Sequence, residues 1–525
     1  MKINKRIYLY ILPFVLGLTL VSCLNDLNIE PIDPSTVQTF NQDEVFTKVY
    51  ASWALTGQEG AAGNNDIDIT DEGRFSLTRS LWNCSELPTD EALCAWGDGE
   101  VVELNVNNFN SLNNSLKAIY ARLYFVITIS NHFLDETGNM TDDKTKKQRA
   151  EVRFIRALSY SYLMDFFGNV PFATGIVTEA PKQIKRAELF TWVVDEVKAA
   201  EPDMYDVKAA PYYRVDKAAA WLLLSRLYLN AKVYSGVANW NDAAIYAKKV
   251  IDSNYKLATK YKYLFMADNA GAIDASTVND APKEIIFPVA ADGIKTKNWG
   301  SAIFLINSTR ATGMPNWGTT GSWGGNRARF ALVKKFFPNG NPPASDDLTV
   351  AAADDRCMMY STDRTAVISD ITKFKEGISV QKYSNVRAAG GATHDVEFPD
   401  MDIPFMRSAE AYLTYAEAVL RGAPAAGMSA VDAVNALRTR AHATAFLNSE
   451  LNLNVMLDEW AREFYFEGRR RTDLIRYGVF TGSDYLWDWK GGVSTGASIP
   501  SHLNLMPIPA DDLNANPNLK QNDNY

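Results

Sequence analysis

The sequence predicts a mainly α-helical fold, in which a tetratricopeptide-like helical-repeat scaffold carries a loop-rich, irregular capping lobe. Several stretches repeat apolar residues at the three- and four-residue spacing of a helix face, with small alanines where neighbouring helices would touch. Residues 43–108 and about 270–399 are instead rich in Gly, Asn, Asp, Thr and Trp and show little of this spacing. Because no linker separates the two kinds of region, we expect one intertwined unit.

Five scaffold segments are predicted as helices. In the segment 146–167, the apolar residues Val152, Ile155 and Leu158 recur on one helix face. The segment 215–234 is apolar nearly all round, which is typical of a buried helix. The remaining segments, which would pair with their neighbours in the scaffold, are 240–254, 404–420 and 429–440.

A stretch near the C-terminus mixes aromatic with charged residues. Met456, Trp460, Phe464 and Glu467 would share the inward face of one helix. Gly468 would then mark a break before a short charged helix, because glycine disfavours a helix interior. A solvated helix face is the simpler interpretation. Since the charges are interspersed with aromatic residues, we expect buried or half-buried ion pairs that tie distant segments together.

The composition bears on the partners of the protein. The chain has 525 residues, of which 47% are hydrophobic and 12% aromatic, and a formal net charge of −9 at pH 7. Phosphate binding needs clustered Lys and Arg, so the sequence argues against nucleic acid and leaves a neutral polymer open. The 12 Trp and 24 Tyr exceed what a core of this size requires.

The N-terminus resembles the export signal of a bacterial lipoprotein. Basic residues precede the apolar run 7–21, which is too short for an ordinary transmembrane helix. Small residues then precede Cys23, as in a lipobox, so residues 1–22 would be removed. Acylation of Cys23, for example with palmitate, would anchor the protein to a membrane without spanning it. Residues 23–40, rich in Asn, Asp, Pro and Thr, would form an extended tether.

Little in the sequence suggests catalysis. Cys84, Cys94 and Cys357 include no C-x-x-C pair, so a Cys84–Cys94 bridge and free buried thiols stay open. The segment GVSTG matches the G-x-S-x-G pattern of serine hydrolases, but glycines stand before it where a strand is needed. His502 is the only histidine after Ser494, and no acidic residue lies between them to complete a triad.

Tryptophans stand beside glycines in the loop segments. Trp96, Trp299, Trp317 and Trp323 are each followed by a glycine in a polar loop. Neighbouring side chains cannot shield such an indole, so its face is open to stack on the apolar C–H face of a pyranose ring. Alternatively, each indole could fill a gap between a loop and the core. The recurrence in three segments favours a sugar-binding platform.

The stretch EFYFEGRRRTDLIRYG resembles the C-terminal signature of the SusD/RagB family of outer-membrane nutrient-binding lipoproteins. Other stretches, including NCSELPTDE, DGIKTKNWG, GMPNWGTT and YLWDWKGG, are similar to starch-binding members of that family across nearly the whole chain. The resemblance fits a single SusD-like unit over residues 41–525. Its helical scaffold would cover about 110–260 and 404–478, and its glycan-binding lobe about 41–109 and 261–403.

The resemblance also implies a function. The protein would capture an α-glucan such as starch or maltooligosaccharides at the cell surface, without an enzymatic step or catalytic cofactor, and deliver it to a TonB-dependent SusC-type transporter of the outer membrane. Matching motif positions place an aromatic arc on Trp96, Trp299 and Trp323 and a hydrogen-bonding arginine at Arg79. Asp98 could replace an asparagine of the family pattern.

The chain departs from the family pattern at two positions, which bear on affinity and fine specificity. Cys94 stands where the pattern has a further tryptophan, and Gly99 stands near the position of its asparagine. Two other classes of function remain as alternatives: a glycoside hydrolase acting on the same polymer, and a helical-repeat adaptor that binds only protein.

A cation site is suggested by Asp400 and Asp402. In an extended segment, residues two apart face the same side, where their carboxylates repel unless a cation or a base joins them. A solvated acidic turn is the alternative. The family resemblance implies a structural calcium ion at this pair, with a third ligand among Asp268, Asp274 and Asp280.

Overall fold

A computed structural model of the chain describes residues 40–271 and 278–525. These residues form a mainly α-helical fold, which confirms the predicted fold class, with seventeen α-helices and eight short strands in the described part. The first nine helices are α1 Gln42–Ala54, α2 Leu77–Glu86, α3 Gly99–Asn105, α4 Asn114–Glu136, α5 Asp143–Phe167, α6 Arg186–Ala200, α7 Lys217–Leu229, α8 Ala231–Ser235 and α9 Trp240–Asp252. The later helices are α10 Ala302–Asn307, α11 Phe330–Phe336, α12 Thr349–Ala352, α13 Ala409–Leu420, α14 Ala430–Arg440, α15 Leu453–Phe464, α16 Arg470–Arg476 and α17 Ala510–Ala515.

The strands are short and form no large sheet among the described residues. They are β1 Ala92–Cys94, β2 Val170–Pro171, β3 Gln183–Ile184, β4 Ile285–Val289, β5 Asn326–Ala328, β6 Met359–Tyr360, β7 Ser379–Val380 and β8 Ile403–Arg407. They pair two by two in antiparallel register, as β1 with β5, β2 with β3, β4 with β8 and β6 with β7. The pairs β1–β5 and β4–β8 therefore tie together segments that are distant in sequence, whereas β2–β3 and β6–β7 close local loops.

The scaffold is a row of helices packed one against the next. Helices α4, α5, α6 and α7 pack in this order, α7 then packs on α9, α9 on α13 and α13 on α14. Ala243 and Ala247 of α9 are fully buried, and their small side chains let neighbouring helices approach closely. The last pair, α13 and α14, joins the row from a distant part of the chain.

Two predicted helices differ from those in the structure. The segment 215–234 is divided into α7 and α8 at Asn230, whose φ and ψ of −95° and 4° leave the helical range. The segment 404–420 is helical only from Ala409, because the residues before it form β8. Its apolar sequence IPFMR pairs with β4, and tertiary pairing overrides the helical pattern here.

The helix at the C-terminal stretch is shorter than predicted. It ends at Phe464, because Phe466 has a φ of 63° and Gly468 a φ of 76°, both in the left-handed region. Glu467 therefore lies off the helix face on which we expected it, although its side chain is still largely buried. Three helices, α1 to α3, also occupy residues 42–105, which were expected to be mostly loop.

The buried ion pairs predicted for this stretch are present. Glu459 accepts hydrogen bonds from Arg356 at 2.7 Å and Arg438 at 2.9 Å, and all three side chains are buried. Burial alone would raise the pKa of Glu459 and of its neighbour Glu463, but the surrounding arginines lower both values to about 2. We call this group the clamp; it comprises Glu459, Glu463, Arg356, Arg407, Arg438 and Arg440.

The structure decides the state of three cysteines but does not describe the predicted membrane anchor. Cys84, Cys94 and Cys357 are free and buried, so no Cys84–Cys94 bridge forms. Cys23, the predicted lipidation site, lies outside the described residues. No helix in the part of the chain that the structure describes is long and apolar enough to cross a bilayer.

Candidate functional site

Two of the predicted tryptophans are brought together by the strand pair β1–β5. In this antiparallel pair Cys94 lies opposite Asn326, and the pairing continues as the amide of Ala95 donates to the carbonyl of Gly325 at 2.9 Å. Trp96 follows β1 and Trp323 precedes β5, so the two residues meet at the same end of the strand pair. The indole Nε1 of Trp96 donates to the carbonyl of Trp323 at 3.2 Å.

A glycine allows this close approach. A Cβ atom at Gly325 would lie 2.3 Å from Cε2 of the Trp96 ring, which no side chain could accommodate without moving the indole. The ring of Trp96 therefore lies directly on the backbone of the segment that carries Trp323. Gly325, the second residue after Trp323, thus has a packing role at the site.

The third tryptophan arrives from a separate loop that is tied to helix α2. Ser76, the N-cap of α2, donates its hydroxyl to the carbonyl of Gly300 at 2.8 Å and accepts a hydrogen bond from the amide of Arg79 at 3.2 Å. The ring centroids of Trp299 and Trp323 lie 6.5 Å apart, and their planes are inclined by 43°. One residue, Ser76, therefore fixes both the Trp299 loop and the start of the helix that carries Arg79.

These side chains line one open pocket of about 490 Å³. All three indoles are half-buried, whereas Trp317, the fourth candidate, is only 6% exposed and packs inside. The structure thus brings together the five residues predicted for the site, and it adds two charged residues beside them. The full lining is Asp71, Arg74, Arg79, Trp96, Asp98, Trp299 and Trp323.

Arg79 is a buried cation without a protein acceptor. Its side chain is 9% exposed, and its guanidinium lies 4.9 Å from the ring centroids of both Trp96 and Phe304. No acceptor among the described residues hydrogen-bonds this guanidinium, and its Nε is buried without a partner. Burial lowers the pKa of Arg79. Because Arg79 lines the pocket, the donors of its guanidinium that reach the pocket are available to a ligand. The rings partly compensate for lost hydration.

Asp98 is held by a residue that sequence reasoning missed. Arg74 contacts the Asp98 carboxylate at 2.9 Å and donates to Glu100 at 2.8 Å. Arg74 and Asp71 belong to the segment DEGRF, whose contact with the pocket depends on long-range packing. The pocket thus combines apolar indole faces with donors and acceptors for hydroxyl groups, and its own charges nearly balance.

The predicted cation pair lies in a buried acidic region. Asp402 accepts a hydrogen bond from the amide of Ala291 at 2.8 Å. Its other carboxylate oxygen is buried, lies near the hydroxyls of Tyr212 and Tyr213, and has no partner at hydrogen-bond distance among the described residues. Burial, with a smaller effect of the nearby Asp292 and Asp400 charges, raises the pKa of Asp402 to about 8. Asp400 accepts from the amide of His394 at 2.9 Å and contacts its imidazole at 3.0 Å.

The candidate third ligands are engaged elsewhere or fall outside the description. Asp268 accepts hydrogen bonds from Asn279 at 3.0 Å and from two backbone amides. Asp280 accepts from Thr259 and pairs with Lys283 at 3.2 Å, and Asp274 lies outside the described residues. Among the described residues, no group of three or more His, Cys, Asp or Glu is suited to hold a metal ion.

The serine hydrolase motif is not assembled. Ser494 lines a cavity with residues such as Tyr485 and Asp458. His502 instead lines a different cavity and packs its ring against Tyr525 at 4.8 Å.

Comparisons with known proteins give one consistent group of relatives. The family model described as "SusD family" matches residues 356–525, and the one described as "Starch-binding associating with outer membrane" matches residues 69–229. The chain is 42% identical over 558 residues to the Starch-binding protein SusD of Bacteroides thetaiotaomicron, which covers 100% of this chain and 99% of that protein.

Solved structures share the fold at lower identity. A SusD homolog from Bacteroides thetaiotaomicron VPI-5482 superposes with a TM-score of 0.69 at 20% identity and covers 92% of this chain and 96% of its own. Surface glycan-binding protein A from Bacteroides thetaiotaomicron, in complex with laminarihexaose, gives a TM-score of 0.66 at 18% identity over 92% and 98% of the two chains. At this identity the likeness concerns the fold alone.

Proposed function

The chain belongs to the SusD family, and on that basis we propose that it is a glycan-binding lipoprotein of the cell surface that captures starch and maltooligosaccharides. The glycan would stack on Trp96, Trp299 and Trp323, while Arg79 donates hydrogen bonds to sugar hydroxyls and Asp98 accepts them. No covalent step is part of this function. An open stacking site of this kind binds with micromolar to millimolar dissociation constants, roughly −8 to −4 kcal/mol.

One observation carries the proposal. Three half-buried indoles from separate loops meet in one open pocket together with an arginine whose side chain has no acceptor in the part of the chain that the structure describes. Core packing would bury the indoles fully and pair the arginine, as happens to Trp317 and to the clamp arginines. The inclined rings of Trp299 and Trp323 suit a bent chain of sugar units better than a flat one. A bent chain of neutral units is typical of α-linked glucans.

Calorimetric titration tests the proposal. Purified protein is titrated separately with maltoheptaose, dextran, levan and a laminarin fragment, and we expect binding heat with maltoheptaose at micromolar to millimolar concentration. An absence of heat with every glycan would refute the function. Chromatographic detection of shorter oligosaccharides after long incubation with starch would instead indicate a glycoside hydrolase.

We also propose that acylated Cys23 anchors the protein to the outer membrane, outside the cell, where a TonB-dependent SusC-type transporter receives the glycan. Support comes from the family model described as associating with the outer membrane and from the lipobox in the sequence. In a cell-fractionation experiment, Cys23→Ala should leave the outer-membrane fraction, and wild-type protein should co-purify with the transporter. Retention of the variant in that fraction would contradict the anchor.

A structural calcium ion is a further part of the proposal. The buried Asp402 oxygen has no hydrogen-bond partner among the described residues and lies near the Asp292 and Asp400 carboxylates. A divalent cation that prefers oxygen ligands would bind there with backbone oxygens or water completing its coordination, since these carboxylates alone form no metal-binding group. Asp400 and Asp402 would hold the ion, and its charge would compensate that of the buried carboxylates. Asp268 and Asp280 add no unengaged oxygen, because protein donors already contact them. Asp400 would exchange its contacts with His394 for the ion.

Thermal unfolding tests the calcium site. Addition of calcium to chelator-treated protein should raise the melting temperature, because a ligand that binds only the folded state stabilises it. Asp402→Asn should remove this response, while Asp280→Asn should keep it. An equal response of wild type and Asp402→Asn would exclude the pair as ligands.

A further inference from the structure

An irregular segment lies behind the pocket and contacts both loops that carry its inclined indoles. We call residues 393–400 the strap. The strap has no regular secondary structure. Its Phe398 is 8% exposed and lies with its ring centroid 4.8 Å from that of Trp299. Phe398 does not line the pocket itself, so any effect it has on a ligand would pass through the indole.

The strap is fixed first to the Trp299 loop. Lys297, two residues before the indole, pairs with Asp395 at 2.9 Å and places its ammonium group 5.2 Å from the Phe398 ring centroid. The Asp395 carboxylate also accepts the amides of Glu397 and Phe398, which curls the strap so that the phenyl ring faces the indole. The ring behind Trp299 is therefore held by charges as well as by packing.

The strap is fixed second to the loop that leads to Trp323. The amide of Thr320 donates to the carbonyl of Val396 at 3.0 Å. Asn385, which is 2% exposed, donates to the carbonyls of Gly318 and Asp395. The backbone amide of Asn385 donates to the carbonyl of Trp317, and its side-chain oxygen accepts a hydrogen bond from the backbone amide of Asp400.

We propose that Phe398 is a positioning residue of the glycan site, and that the strap sets the 43° inclination between Trp299 and Trp323 that selects a bent glycan. A rigid support matters because immobilising a freely rotating indole costs conformational entropy and weakens ligand binding. A ring that is already fixed does not carry this cost. The inference rests on the proposed glycan function and adds to it a residue that never touches the ligand.

A double-mutant cycle tests the inference. Calorimetry with maltoheptaose is carried out on wild type, Phe398→Ala, Trp299→Ala and the double variant. We expect Phe398→Ala to weaken binding about fivefold and the double variant to be no weaker than Trp299→Ala, because the two residues act as one unit. In a second cycle that combines Phe398→Ala with Trp96→Ala, the factors by which the two changes weaken maltoheptaose binding should multiply.

Controls separate this role from general stability. Phe398→Tyr, which keeps the ring, should restore the affinity of the wild type, and each variant should keep a cooperative thermal transition. If Phe398→Ala fails to fold, the same two cycles are run with Phe398→Leu. Multiplied losses in the Trp299 cycle, or an unchanged affinity in the Phe398 variant, would overturn the inference. A wild type that does not bind maltoheptaose would refute the proposed function instead.

Discussion

The clamp and the pocket both contain a buried arginine, but they use it in opposite ways. In the clamp, Arg407 is 1% exposed and contacts the carboxylates of Glu284, Glu463 and Glu467 at 3.0, 2.6 and 2.7 Å. In the pocket, Arg79 is 9% exposed and has aromatic rings but no carboxylate as partners. The Arg407 guanidinium is fully paired with carboxylates of the protein, whereas the Arg79 guanidinium has donors left to bind a ligand.

This difference separates structural charge from functional charge. A buried ion pair whose partners are all present contributes little net stability, but removal of one partner leaves an uncompensated charge and is costly. A buried cation without an acceptor already carries that cost in the folded protein, and a ligand that accepts its hydrogen bonds relieves it. The pattern of satisfied and unsatisfied charges therefore distinguishes the scaffold from the site.

The largest expected effect comes from breaking the clamp. Glu463→Gln would leave Arg407 and Arg440 without one of the two carboxylates that they share, and we expect a loss of about 3–5 kcal/mol in the free energy of unfolding. Urea denaturation measures this change. As the control, Lys248→Met removes the exposed pair with Asp252 and should cost less than about 0.5 kcal/mol. A similar small loss for Glu463→Gln would place the clamp among ordinary surface pairs.

A second change tests a pair of like charges beside the clamp. The carboxyl groups of Glu86 and Glu91 are buried within reach of one another, and Glu86 accepts the amides of Gly468 and Arg469. Burial raises the pKa of Glu86 to about 7 and also raises that of Glu91. The folded state then binds more protons than the unfolded state, so stability falls as pH rises from about 4.5 to 7.

Glu86→Gln should remove part of this pH dependence. The amide oxygen can still accept both backbone amides, and the side chain carries no charge at any pH. We expect the variant to be about 2 kcal/mol more stable than wild type at pH 8 and about equal at pH 4.5, measured by urea denaturation. Asp90, which is buried beside Arg470 and Lys335, has a lowered pKa and should not contribute in this range. Equal slopes with pH in both proteins would contradict the raised pKa of Glu86.

The pocket should respond in binding rather than in stability. Trp323→Ala removes one stacking face, and we expect maltoheptaose affinity to fall by about 2 kcal/mol, or roughly thirtyfold. The matched control is Trp221→Ala, since Trp221 is also half-buried but lies on α7 outside the pocket. Titration calorimetry and retention on a starch affinity gel give the readout. Unchanged retention of the Trp323 variant would contradict the stacking role.

The sequence predicted the buried ion pairs and the fold class better than it predicted where individual helices and strands begin and end. The spacing of Met456, Trp460 and Phe464 is a local pattern, and these residues are buried as expected. Glu467 left the predicted helix because Phe466 and Gly468 adopt positive φ values, which the periodicity of side chains does not report. The split of 404–420 into strand and helix likewise depends on a partner strand more than 100 residues away.

The pocket was predictable where a tryptophan stands beside a glycine. Trp96, Trp299 and Trp323 carry that signal in the chain itself, and the family resemblance selected them from four candidates. The pairing of Arg74 with Asp98 has no such signal, nor has the contact of Phe398 with Trp299. Both join segments that only the folded chain brings together. The support of the site was therefore hidden from the sequence, whereas its stacking surface was not.

The smallest expected effect is on ligand affinity, and it comes from removing the charge of Arg79 in the pocket, with Arg407 of the clamp as the counterpart. Arg79→Met keeps the volume and the contact with the Trp96 ring but removes the donors, so maltoheptaose affinity should fall by about 1 kcal/mol. The free energy of unfolding should stay equal or rise slightly, because no protein acceptor loses its partner and a desolvated charge disappears. Arg407→Met is the matched control, and it should lose several kcal/mol of stability, since three carboxylates lose their partner. If Arg79→Met destabilised the fold as much as Arg407→Met, the pocket arginine would be structural, and the distinction between satisfied and unsatisfied charges would fail for this protein.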